Sequence, residues 1–278
     1  MIIHSDWHIH SQYSYDASLP LEVISQTAKE YGFCKVGITD HLNFNDEKFL
    51  GDLKNSAEAV KEFQKTHPNM VLGVELTPIE TDKFKYIART GTRDGYVPTP
   101  GESFEGIELA QTKEQLMAYG VRYAVGAAHW CIKVHGNSYP YSTLEEYIQE
   151  WHRQQMWLAC DERVTILGHP WYHPKGFWYA DFSVIPASMH QELAAALKEH
   201  GKYMECNGYF FVTSATTEKF RNQYAQYLRQ MHELGIPITY GSDSHNAYSD
   251  CHVATEEYLA AAGFRDGEIV EVAEKDFW

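Results

Sequence analysis

Met1-Ile2-Ile3 runs into Asp6-Trp7-His8-Ile9-His10, and Asp16 follows. How this opening is read decides the fold. In an extended backbone His8 and His10 stand at alternate positions, so both imidazoles project from one face. Two rings at the end of a strand can share a metal ion, yet a His-x-His pair alone is a weak sign, because buried structural histidines produce it often. What the rest of the chain places at equivalent positions carries the weight.

Working outward, the same pattern recurs. Residues 19–31 read as a helix capped by Gly32, and residues 34–39 as a short buried strand ending on Asp40-His41. Residues 46–66 are helical in pattern, and the strand at 70–74 ends on Glu75. A helix at 112–119 precedes a strand of small residues, 123–128, that ends on His129. Ser142 opens a helix to about residue 159, with Glu145 placed for a capping box, and the strand at 164–167 leads to Gly168-His169-Pro170. Helices at 186–201 and 217–234 flank a strand at 203–207, and the strand at 236–240 runs into Gly241-Ser242-Asp243-Ser244-His245. A last helix covers 253–262, and the tail after Gly263 shows no clear chemistry. Between Thr77 and Gly106 the breakers Pro78, Gly91, Gly95, Pro98, Pro100 and Gly101 predict a long irregular excursion.

Strand alternating with helix implies a parallel sheet, and polar residues at nearly every strand end imply a closed barrel with its site at the C-terminal face. An open doubly wound sheet would need a ligand at one switch point only. Seven cycles predict an α/β fold, a distorted TIM-like (β/α)7 barrel. No linker, repeat or low-complexity tract cuts it, so residues 1–278 are expected to form a single domain. With 44% hydrophobic residues the chain can bury a sizeable core. The net charge, 23 basic against 38 acidic or −15, argues against nucleic acid as a partner. With no signal-peptide pattern and no apolar run of membrane-spanning length, the expected setting is cytoplasmic, without a membrane partner. Five scattered cysteines without a Cys-x-x-Cys pair suggest reduced, mostly buried thiols, and oligomeric state leaves no readable signal.

Histidine is the outlier of the composition, with fifteen copies. At one rim of the predicted barrel stand His8, His10, Asp16, His41, Glu75, His129, His169, Asp243 and His245. The other histidines fall mostly on helices or in loops and read as structural or exposed, with His173 alone near enough to the rim to meet a substrate. Imidazole and carboxylate are ligands of Zn, Mn and Fe, and this set exceeds what one ion can use, so two or three divalent ions are expected. Any one member has an ordinary explanation; an Asp-His pair after a strand, like Asp40-His41, is more often a turn-former and a satisfied polar group than a metal site. Independent turn chemistry has no reason to place histidine or acid at six strand ends on one face. Glu75 could bridge two ions, and a hydroxide held between them would be a nucleophile at neutral pH.

Taken in order, His8-Ile9-His10 with Asp16, Thr39-Asp40-His41, Gly73-Val74-Glu75, Ala128-His129, Gly168-His169-Pro170 and Gly241-Ser242-Asp243-Ser244-His245 resemble the motifs of the polymerase and histidinol phosphatase (PHP) superfamily of metal-dependent phosphoesterases. The resemblance spans residues 6–245 and implies a distorted (β/α)7 barrel with a trinuclear metal site. It implies that His8, His10, Glu75 and Asp243 hold one ion, that Glu75, His129 and His169 hold a second, and that Asp16, His41 and His245 hold a third. Some members carry His where this chain has Asp16; the carboxylate is found notably among histidinol phosphatases. The expected reaction is hydrolysis of a small phosphomonoester by in-line attack of a metal-bridging hydroxide, with Asp243 and His245 as the catalytic groups that handle protons near the leaving group.

The spacing around Ala128-His129-Trp130 and Ile166-Leu167-Gly168-His169 looks closest to the histidinol-phosphatase branch, which makes L-histidinol phosphate the first candidate substrate. Arg89, Arg93 and Lys175 are candidates for phosphate recognition, and Asn207 for a substrate contact or a cap on its turn. Trp130, Trp171, Tyr172, Phe177, Trp178, Tyr179, Tyr209, Phe210 and Phe211 follow strand ends, and some are expected to wall the pocket mouth. Alternative readings are a nuclease or nucleotide phosphodiesterase of the same superfamily, an amidohydrolase-type C–N hydrolase, and a metal-binding regulator without activity.

Overall fold

The structure is a computed structural model and describes residues 2–97, 106–130, 143–171 and 181–278. In chain order its elements are β1 (Ser5–Ile9), α1 (Leu21–Tyr31), β2 (Lys35–Ile38), β3 (His41–Leu42), α2 (Glu47–Phe63), β4 (Met70–Leu76), β5 (Ile79–Glu80), α3 (Thr81–Thr90), β6 (Ile107–Glu108), α4 (Lys113–Ala118), β7 (Tyr123–Gly126), α5 (Leu144–Cys160), β8 (Ile166–Leu167), α6 (Ala187–Glu199), β9 (Tyr203–Asn207), α7 (Tyr209–Val212), α8 (Glu218–Glu233), β10 (Ile238–Gly241) and α9 (Cys251–Ala261). Seven strands lie side by side and parallel in the order β1-β2-β4-β7-β8-β9-β10. Beyond β10 the chain returns to β1: His10 N–H donates to Ser244 O at 2.9 Å and Asp243 N–H to His8 O at 2.8 Å. The sheet is thus a nearly closed barrel, and the expected distorted (β/α)7 architecture is the one found.

Helix limits follow from their caps. Gly32, left-handed at φ 78°, ends α1 by turning its N–H back to Ala28 O and Lys29 O. The capping box of α5 is one residue later than predicted. Thr143, not Ser142, accepts from Glu146 N–H, and Glu146 rather than Glu145 accepts from Thr143 N–H, each at 3.2 Å. Ser142 itself lies outside the described residues. The excursion after Thr77 is also more regular than expected: β5 and β6 form a small antiparallel ribbon, and α3 fills residues 81–90. After Pro78 the next breaker is Gly91, which leaves residues 81–90 free to coil until Gly91, at φ 77°, ends the helix.

The inside of the barrel has two levels. Trp7, Val71, Tyr123, Val125, Ile166 and Tyr203, from five different strands, form the lower one. A register shift in β1 between Asp6 and Ile9 lets Trp7 join it while His8 and His10 still reach the upper level. Tyr123 fills the centre and donates to Trp7 O at 2.8 Å. The tail after Gly263, silent in the sequence, closes the barrel from below: Phe277 lies 6.0 Å from Trp7 and 6.1 Å from Tyr123, centroid to centroid, and Trp278 N–H bonds Arg122 O at 2.8 Å. Of the cysteines, Cys206 and Cys251 are buried but Cys34 and Cys160 are exposed, one just before β2 and one ending α5; Cys131 lies outside the described residues. Among the described residues no helix is long and apolar enough to cross a membrane.

Candidate metal centre

β4 brings the organising group. Glu75, fully buried near its C-terminal end, is ringed by five imidazoles. Its Oε2 lies 3.3 Å from His8 Nε2, 3.3 Å from His10 Nε2 and 2.8 Å from His41 Nδ1, and its Oε1 lies 3.2 Å from His129 Nε2 and 3.0 Å from His169 Nε2. Asp243 Oδ1 is 3.3 Å from His10 Nε2 and 3.7 Å from His8 Nε2. Asp16 Oδ2 is 3.3 Å from His41 Nε2 and 3.7 Å from His245 Nε2. All nine sequence candidates therefore come together.

These separations test the fit to metal. Zn–N and Zn–O bonds of 2.0–2.1 Å in a tetrahedron put neighbouring ligand atoms about 3.3 Å apart. His8 Nε2 and His10 Nε2 are 3.1 Å apart, and both stand 3.3 Å from Glu75 Oε2, close to that edge length. His41 Nδ1, despite its proximity, has no hydrogen-bond geometry to Glu75 Oε2, and among the described residues both atoms are buried without a hydrogen-bond partner. A buried carboxylate oxygen in that state is costly unless a cation satisfies it. Among the described residues three donor sets have all their ligand atoms within 4.8 Å of one another: His8, His10 and Asp243; His41, Glu75 and His129; and His10, Asp16, His41 and His245. His10 and His41 each belong to two sets, whereas in the grouping that the family resemblance implies Glu75 is the shared ligand.

Neighbouring groups fix which nitrogen faces the centre. Glu205 accepts from His8 Nδ1 at 2.7 Å, Thr77 Oγ1 is 2.8 Å from His129 Nδ1, and Asp243 O accepts from His245 Nδ1 at 2.9 Å. Each contact protonates Nδ1 and turns the Nε2 lone pair inward, as a ligating imidazole requires. Asp40, in the role of satisfied polar group, takes Ser11 N–H, Ser11 Oγ and Ser56 Oγ at 2.6–2.7 Å and ties the β1 exit to α2. Asp6 accepts from Ser242 N–H at 2.9 Å and Tyr248 Oη at 3.0 Å, and burial pushes its carboxyl up to about 7.

Without cations the groups titrate against one another. Burial disfavours charge on Glu75, but His41, His8 and His129 outweigh it and hold the carboxyl well below the usual range. Burial also works against His8, and the carboxylates of Glu205, Glu75 and Asp243 overcome it and raise the imidazole well above its ordinary value. His41 is raised to about 10, its burial overcome by Glu75 and Asp16. Burial and the adjacent His41 instead push His10 down to about 3. Asp16 and Asp243 are held below the carboxylate range, burial being outweighed by His41 for the first and by His8 and His10 for the second.

Glu205 is a residue that rim counting missed. It is buried in the middle of β9, two positions below Asn207, and also accepts from His169 N–H. The available signal was an acid on the inward side of an apolar strand, Tyr203-Met204-Glu205-Cys206-Asn207. Asn207 caps its turn, Oδ1 accepting from Tyr209 N–H at 3.0 Å, and its Nδ2 donates to Asp243 Oδ2 at 3.3 Å.

The basic candidates fare differently. Arg89 is exposed on α3 beside the Tyr86 ring, and Arg93 lies over Phe44 and Phe49 with Asp46 at 3.6 Å. Among the described residues neither has an ion pair or ring contact with a member of the cluster. Trp171, Phe210 and Phe211 are buried in the core instead of walling a mouth, whereas Trp130 stacks on Phe44 next to His129 and Tyr209 is exposed. Lys175, His173, Tyr172, Phe177, Trp178 and Tyr179 lie outside the described residues.

The PHP domain family model matches residues 6–209. No curated protein matches the chain in sequence. Among solved structures, the Lactococcus lactis histidinol phosphate phosphatase, crystallised with Zn, L-histidinol and phosphate, is similar in fold at a TM-score of 0.63 and 18% identity, over 98% of this chain and 100% of that one. A Xaa-Pro dipeptidase with methionine in its active site aligns at 12% identity over 95% of this chain and 71% of that one, and its TM-score of 0.39 lends it no weight.

Proposed function

The chain belongs to the PHP family, and from that premise we propose that it is a metal-dependent phosphoesterase that hydrolyses a small phosphomonoester. The observation that carries this reading is the spacing of donors around Glu75, 3.0–3.3 Å for His8, His10, His129 and His169. In the proposed site His8, His10, Glu75 and Asp243 hold one ion, Glu75, His129 and His169 a second, and Asp16, His41 and His245 a third, with Zn, Mn or Fe suited to the donors. When bound, such ions lower the pKa of water and neutralise charge on phosphoryl oxygens.

The protein's own groups set the direction of approach. Glu75, His8, His10, His41 and His169 are buried, while the side chains of Asp16, His129, Asp243 and His245 are 30, 19, 16 and 28% exposed and line the mouth. Phosphate enters from that side. Asp243, steadied by Asn207 Nδ2, and His245, steadied through Nδ1 by the Asp243 carbonyl, face the space where the leaving oxygen departs and can hold or pass its proton. L-histidinol phosphate is the first substrate to try, since the structural neighbour was crystallised with L-histidinol and phosphate. The test is phosphate release from a panel of phosphomonoesters that includes it, with metal content measured on the same preparation. Metal-dependent turnover of one member, lost in His129→Ala, is expected; bound ions with no phosphate released from any member would overturn the phosphomonoesterase reading.

A further inference from the structure

Gln154 and Gln155, consecutive on α5, are 0 and 1% exposed. Gln154 Nε2 donates to Trp130 O at 3.1 Å, the carbonyl directly after His129, and to Glu150 Oε1 at 2.9 Å. Gln155 Oε1 accepts from Trp171 N–H at 2.9 Å, two residues after His169. Successive helix positions point about 100° apart, so one turn of α5 reaches the exits of both β7 and β8.

Stability does not account for this pair. Among the described residues Gln154 Oε1 and Gln155 Nε2 are buried without a hydrogen-bond partner. A buried amide group left unsatisfied is destabilising; a methionine of similar volume removes it while the main-chain group it held loses its partner, so the two costs largely offset. What each amide achieves is to fix a main-chain group beside a histidine. The turn that carries His169 needs such fixing, for Trp171 sits at φ 66°, a left-handed conformation that a bulky residue rarely adopts. Gln155 on Trp171 N–H and Glu205 on His169 N–H hold that turn from two sides.

We infer that Gln154 and Gln155 are positioning residues that set His129 and His169 at their places beside Glu75 Oε1, 3.2 and 3.0 Å away, and so tune the site these two histidines share. The inference rests on the metal-dependent reading proposed above. Its test is metal titration of wild type, Gln154→Met and Gln155→Met, with stoichiometry by elemental analysis and melting of the metal-free proteins. His129→Ala identifies the ion concerned. Each methionine variant is expected to bind that one ion about 10- to 100-fold more weakly, to keep the others, and to melt metal-free close to wild type. The two variants predict loss of the same ion, so one well-folded variant decides. Wild-type affinity for every ion in that variant overturns the inference, as does a lowered metal-free melting point with all ions weakened alike. A wild type that binds no ion overturns the metal-dependent reading and the inference with it.

Discussion

Replacing Glu205 offers the sharpest test of how the centre is held. Its carboxylate accepts from His8 Nδ1 at 2.7 Å and from His169 N–H, and Asn207 Nδ2 is 3.4 Å away. Glu205→Gln keeps the shape but turns one acceptor into a donor, so a single amide oxygen cannot serve both His8 and His169. One buried N–H then loses its partner, at about 1–3 kcal/mol. His8 would also lose the contact that turns its Nε2 toward the centre, and affinity for the ion held by His8 should fall about 10- to 100-fold, or about 1.4–2.7 kcal/mol. Glu205→Ala leaves both N–H groups unpaired beside a cavity and should cost more on both counts. The assay is metal titration by calorimetry at one pH, with melts of the metal-free and loaded forms. Unchanged affinity for every ion in Glu205→Gln would show that His8 needs no such support, and the role assigned to Glu205 would fall.

Three other perturbations probe the scaffold. A Cβ on Gly37 would stand 1.7 Å from Tyr123 Oη, so Gly37→Ala should destabilise the barrel by about 3 kcal/mol, read from urea midpoints; wild-type stability would mean that Tyr123 can move aside. Burial, helped by neighbouring His152, pushes His190 down to about 4, against about 6.5 in an unfolded chain. The neutral ring is the folded form, so its contribution is complete above about 6.5 and is lost as pH falls toward 4, by up to about 3 kcal/mol. His190→Phe, stacked on Phe182, should flatten stability over that window, and an unchanged pH profile would contradict the shift. Finally, a chelator should lower the melting point and re-added metal restore it, an ion at a hundred times its Kd adding about 2.7 kcal/mol. No thermal shift on removing bound metal would separate the centre from the stability of the fold.

What the sequence shows and what it hides divide along physical lines. Strand ends are legible because continuous apolar runs stop abruptly at a polar residue, as at Val74-Glu75 and Ala128-His129. All nine ligand candidates lie at such ends or in the loops just beyond them. Residues below the rim are harder to see, because a buried acid such as Glu205 has no periodic mark that separates it from a solvated one. The grip of Gln154 and Gln155 on neighbouring strand exits depends on how α5 packs, which no local pattern encodes. The role of the tail escaped for a related reason: Val272 and Phe277 pack on Trp7, Tyr123 and Tyr203 from distant strands. Helix α3 was hidden by breakers counted over the whole excursion instead of located within it.

The two levels of the barrel explain why the chemistry gathers at one end. On β4 the inward positions run Val71, Gly73, Glu75, and on β9 they run Tyr203, Glu205, Asn207, so the lining turns from apolar to polar within three inward positions. Tyr123 occupies the space that side chains on Gly37 and Gly73 would fill, since a Cβ on Gly73 would stand 2.6 Å from its ring. With that ring, Trp7 and the tail beneath it, water is kept from the underside of Glu75. A carboxylate desolvated from below must be compensated from the sides and above, and His8, His10, His41, His129 and His169 supply the nitrogens that surround it. The aromatic floor therefore does more than fill the barrel: by denying Glu75 solvent, it leaves that charge to the imidazoles around it and, on the proposed reading, to cations held among them.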